Sequence, residues 1–238
     1  MSPAPPEIHE HYPGALRTGD YLQKVRDALT RRDVSVDSTL ASVCTCRDEL
    51  AGAFGLHVRG IWGPVFDVAS LGGVPAMGPA GWVSALGHIP DTHGRGCLLA
   101  FGLSHIGIDG DGTLGFVTRA GQDRPNPACG ALSVLLESAR QGDVPTAIDP
   151  DDFEATRLGL RLIDRSAVPS LAELTATAAD TSGADLWTAL DEVGLWQDHD
   201  VAVCWGTQIH GPDGTEWISH RGAWFASSDG VRQPLDVE

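Results

Sequence analysis

Cys46 in Cys-Thr-Cys-Arg-Asp, His105 in Ser-His-Ile-Gly-Ile-Asp and Cys129 in Ala-Cys-Gly-Ala are the residues best suited to chemistry in this chain. Two thiolates and one imidazole form a soft-to-borderline donor set that suits zinc. Three protein ligands leave a fourth position open to water, and an open site can do chemistry where a closed one holds structure. The plain alternative is two buried thiols and a hydrogen-bonded core histidine. The three residues lie far apart in sequence, with no compact Cys-x-x-Cys pair to join them.

The elements that must position them can be read from periodicity. Thr18 and Asp20 open a helix that runs to about Arg32, with Tyr21, Leu22, Val25 and Leu29 on one face. Residues 38–45 read as a short buried strand, and Arg47 to about His57 as a helix. Cys46 would then lie at the carboxyl end of a strand, the edge where open α/β sheets bind ligands. Residues 60–81 interleave Gly60, Gly63, Gly72, Gly73, Gly78 and Gly81 with Pro64, Pro75 and Pro79, a pattern that suits backbone packed closely around something. Trp82 to His88 is a short helix candidate. Residues 96–108 read as a buried strand arriving at His105, 109–112 as a turn, and 113–119 as a second strand. Pro125 and Pro127 mark a loop to Cys129, which opens a helix to about Arg140. Asp151–Arg165, Ser170–Ala179 and Asp185–Trp196 are further helix candidates. Residues 200–209 and 215–226 form a hairpin about Gly-Pro-Asp-Gly at 211–214.

Composition narrows the function classes. A chain of 238 residues can bury a sizeable core. Its formal net charge of −16 argues against nucleic acid and anionic membrane as partners. Five cysteines (Cys44, Cys46, Cys97, Cys129, Cys204) form no regular disulfide framework. No signal-peptide pattern opens the chain, and the expected compartment is cytoplasmic. Residues 1–16 read as an N-terminal arm carrying His9 and His11, and residues 17–238 as one domain. Asp109-Gly-Asp-Gly resembles the start of a calcium loop. Leu114 and Ala120, however, occupy the places of its required glycine and bidentate acid, so a tight turn near His105 fits better. Cys44, Cys97 and Cys204 read as core thiols. Trp187, Trp196, Trp205, Trp217 and Trp224 read as core or subunit interface.

Four blocks in order carry a family resemblance. They are Cys46-Arg-Asp-Glu; the run Gly81-Trp-Val-Ser-Ala-Leu-Gly-His-Ile-Pro; Ser104-His-Ile-Gly-Ile-Asp-Gly-Asp-Gly-Thr-Leu-Gly; and Ala128-Cys-Gly-Ala. Over roughly residues 38–140 the chain resembles the limiting-CO2-inducible protein B/C (LCIB) family, relatives of the β-class carbonic anhydrases, some of them called θ-class. The resemblance implies an α/β fold, a β-carbonic-anhydrase-like sheet flanked by helices, with C-terminal helices and a β-hairpin, in a homodimer. It implies Zn2+ on Cys46, His105 and Cys129, and reversible hydration of CO2 to bicarbonate by a water whose pKa zinc brings near neutrality. It further implies that Asp48 orients or gates the fourth position. The β-class pattern continues Cys-x-Asp-x-Arg, but position 50 is Leu50. Arg47 and Arg59 are the candidates to reach Asp48 from another direction, and His88 is a candidate pocket or proton-relay residue. Leu50 also motivates a second reading, a non-catalytic zinc protein acting as inorganic-carbon sensor or assembly partner. A third reading is a hydrolase of another small electrophile, such as carbonyl sulfide or carbon disulfide, or one with a cysteine nucleophile.

Overall fold

The computed structural model describes residues 4–91, 95–195, 198–212, 214–228 and 230–237. Pro6 at the first helical position starts α1 (Pro6–His11), within the stretch expected to be an arm. Ile8 anchors this helix against Ile106, Ile108, Ile209 and Trp217, while His9 and His11 are exposed. There follow β1 (Leu16–Arg17), α2 (Thr18–Thr30), β2 (Thr39–Cys44), α3 (Gly52–Trp62), β3 (Val65–Asp67), α4 (Pro79–Leu86), β4 (Cys97–Gly107), β5 (Phe116–Val117), β6 (Asn126–Pro127), α5 (Gly130–Gln141), α6 (Phe153–Leu162), α7 (Leu171–Glu192), β7 (Asp200–His210), β8 (Glu216–Ala226) and β9 (Gln233–Pro234). No helix among the described residues is long and apolar enough to cross a membrane.

One mixed sheet organises the chain, in the order β1-β8-β7-β4-β2-β3, with β9 paired to β8. β3, β2, β4 and β7 run parallel, whereas β8 is antiparallel to β7 and β1 to β8. The C-terminal hairpin therefore completes the central sheet: β7 pairs with β4 over all eleven residues, from Cys97↔Asp200 to Gly107↔His210. Buried on both faces, β4 reads as a near-continuous apolar run, as central parallel strands do. Leu99, Phe101 and Leu103 face α2 and α3; Leu98 and Ala100 face the α4 and α7 side with Trp82, Leu186 and Trp187.

Three expectations are corrected. The helix expected from Arg47 begins at Gly52, because the Asp48 side chain and carbonyl accept from the N–H groups of Leu50 and Ala51 and hold 48–51 as a turn. The strand expected over 113–119 shrinks to β5, with one bridge between Ile108 and Leu114. The helices expected at 170–179 and 185–196 are one helix, α7, opened by the Ser170/Glu173 capping box. Gly183 does not break it; a Cβ there would sit 2.5 Å from the Trp205 ring, so its role is close packing. Trp196, and Asp213 of the 211–214 turn, lie outside the described residues.

Breaker residues in the 60–81 run allow close approach to the sheet. Gly73 has φ +74°, and a Cβ on it would lie 2.0 Å from the Leu103 carbonyl oxygen. Only glycine suits that position. It brings Val74 into one apolar cluster with Cys46, Cys129, Leu132 and Leu174.

Candidate metal centre

Register sets the first two ligands side by side. β2 ends at Cys44, directly opposite Gly102 of β4. Cys46 and His105 lie two and three residues farther along these neighbouring strands, at the same carboxyl edge of the sheet. Cys129 is the N-cap residue of α5, with extended backbone at φ −80°, ψ 130°, and it closes the triangle from a third element. One ligand atom from each of the three lies within 4.8 Å of the others. All three are at least 96 % buried.

The geometry of the donors fits a zinc ion. Cys46 Sγ and Cys129 Sγ stand 3.5 Å apart. His105 Nε2 is buried and has no hydrogen-bond partner, while its Nδ1 lies 3.2 Å from His210 Nε2. A buried ring nitrogen left unpaired beside two sulfurs is costly unless something takes its lone pair. The hydrogen bond from Cys129 holds the Cys46 thiol well below its ordinary value. The same contact with Cys46, together with burial, pushes Cys129 up. Thiols bind zinc as thiolates, so two sulfurs converging on one point are suited to a divalent cation.

Asp48 stands at the mouth of this cluster, 3.9 Å from His105 Nε2 and 11 % exposed. Arg119, from the loop after β5, reaches it: Nη2 donates to Asp48 Oδ2 at 3.0 Å and to Oδ1 at 3.3 Å. The same guanidinium donates to Glu49 through Nε and to the Pro127 carbonyl through Nη1. Leu50 contributes its backbone N–H to Asp48 Oδ1 at 3.1 Å.

The other proposed residues lie elsewhere. Arg47 makes a two-pronged bond to Glu154 of α6, at 2.6 and 3.1 Å, and does not partner Asp48. Glu154 in turn accepts from the Leu71 N–H. Arg59 is exposed on α3. His88 is exposed after α4, its ring 6.1 Å from that of Phe66 in β3. Sequence reasoning pointed to neither Arg119 nor His210. For Arg119 the only signal was the unmet demand for a guanidinium at Asp48. His210 gave none beyond its place near the end of an apolar strand.

The profile of the family described as limiting CO2-inducible proteins B/C beta carbonic anhydrases matches residues 15–224. The chain belongs to this family. The LCIB-family fold is equally evident in solved structures. PtLCIB4, a homologue of LCIB, superposes with a TM-score of 0.84 at 23 % identity, covering 96 % of this chain and 98 % of that one. LCIB itself gives 0.77 at 25 %, covering 98 % of each. No curated protein sequence matches the chain.

Proposed function

We propose that this LCIB-family chain is a zinc-dependent carbonic anhydrase that interconverts CO2 and bicarbonate. The observation that carries the reading is the Asp48–Arg119 pair beside the Cys46, His105 and Cys129 cluster. The three side chains would hold the ion through Sγ, Nε2 and Sγ. Zinc bound there supplies Lewis acidity that brings a water at its open position near neutrality, the nucleophile that CO2 requires. Arg119 holds the Asp48 carboxylate through both oxygens, so that Asp48 would not be free to ligate an ion held by Cys46, His105 and Cys129. Asp48 keeps acceptor capacity for a hydrogen bond from the nucleophile, which orients a lone pair toward carbon. Val74, Leu132, Leu174 and Ala51 pack in one apolar cluster with Cys46 and Cys129, surroundings that suit a small unpolarised substrate.

Leu50 motivated the sensor reading because the β-class arginine is missing there. That argument loses force once Arg119 fills the same chemical role from another loop. The test is elemental analysis of natively purified protein together with stopped-flow CO2 hydration. About one zinc per chain with a rate well above buffer is expected; bound zinc with no rate would return the chain to a non-catalytic role. Carbonyl sulfide and carbon disulfide should be assayed alongside, and faster turnover of either would change the substrate.

A further inference from the structure

β7 brings a second histidine to the centre. His210 stands opposite Gly107 of β4, diagonal to His105, and opposite Glu216 of β8. The two rings meet nearly edge to face, with centroids 5.3 Å apart and planes at 77°. Both are buried, at 0 % and 5 % exposure. Because His105 Nε2 faces the sulfurs without a partner, a ligand role requires that nitrogen bare, and the ring proton then sits on Nδ1. His210 Nε2, 3.2 Å away, is the acceptor. Its own proton falls on Nδ1, which faces Glu216 Oε1 at 3.9 Å. The other Glu216 oxygen lies 3.9 Å from His57 Nε2 of α3.

We propose that His210, backed by Glu216, is a positioning residue for the metal centre. It fixes the tautomer and ring plane of His105 and so raises that ligand's donor strength. The inference rests on the zinc reading above. A phenyl ring would fill this space without the desolvation cost of a second imidazole, so packing alone does not explain the pair. Metal-ligating histidines depend on such partners, whose loss typically costs about 10–100-fold in metal affinity.

The test is zinc affinity by chelator competition for wild type, His210→Phe and His210→Gln. The Phe variant should bind about 10–100-fold more weakly, and Gln, whose amide oxygen can accept from His105 Nδ1, should recover most of the loss. Equal affinity of Phe and wild type, or Gln as weak as Phe, would overturn the role. Nitrogen-15 NMR of zinc-loaded wild type needs no variant to fold: it should show His105 protonated at Nδ1, and a proton at Nε2 would refute the assignment. Wild type that takes up no zinc would remove the centre itself, and this inference with it.

Discussion

The interior of the sheet and its carboxyl edge treat the same functional group in opposite ways. Cys44, Cys97 and Cys204 lie within strands, and burial pushes each thiol up, to about 12 for Cys44 and Cys204. Cys46 is buried too, though slightly less deeply, at 4 % exposure. Its thiol nonetheless moves down, because the Cys129 thiol points its hydrogen at it. Depth alone makes a cysteine inert; convergent neighbours at a strand end make it a ligand.

The most severe way to test this contrast is to remove edge sulfur. Cys46→Ser or Cys129→Ser should take zinc from about one per chain to none and CO2 hydration to the buffer rate, by elemental analysis and stopped flow. The next largest effect should come from Arg119→Ala, with zinc retained and kcat/KM down by about 100-fold, the scale of losing one aimed electrostatic group. Adding Leu50→Arg to that variant should restore part of the rate if a guanidinium at Asp48 is what matters. In the sheet interior, Cys204→Ala should cost about 1 kcal/mol in chemical denaturation, the low end for trimming a core side chain, and leave zinc content unchanged. Metal loss in that variant would erase the distinction between the two sets of thiols.

The smallest effect concerns the arginine that does not partner Asp48. Arg47 holds the Glu154 carboxyl below its ordinary value. A depressed acid stabilises the fold above its unfolded pKa, and that contribution fades as pH falls through the folded value. Glu154→Gln should therefore lower Tm slightly at pH 7 and hardly at all at strongly acidic pH. The pair is partly solvated, so a shift worth a few tenths of a kcal/mol is expected. A pH-independent loss would mean that Glu154 acts through packing at Leu71.

Sequence periodicity made β4 and the β7–β8 hairpin legible, because central strands are continuous apolar runs and the hairpin carries turn residues at its bend. Cys46, His105 and Cys129 were legible as residue types, and their meeting follows from the parallel register of β2 and β4, which no local pattern encodes. Arg119 was not legible. It sits in a loop without period, and a side chain reaching from residue 119 to 48 is a tertiary fact; Arg47 and Arg59 were nearer only in sequence. The division of α7 into two expected helices has a related cause, since nothing local to Gly183 encodes the Trp205 ring that packs on it in mid-helix.

Strand order carries one consequence for biosynthesis. β4 emerges from the ribosome long before β7, its eleven-residue partner from the last quarter of the chain. Until β7 arrives, an apolar strand displays one unpaired edge, the template on which nascent chains stick to one another. Products truncated before residue 200 would retain Cys46, His105 and Cys129 yet aggregate, so recombinant yield should depend on chaperone supply during elongation more than on metal in the medium.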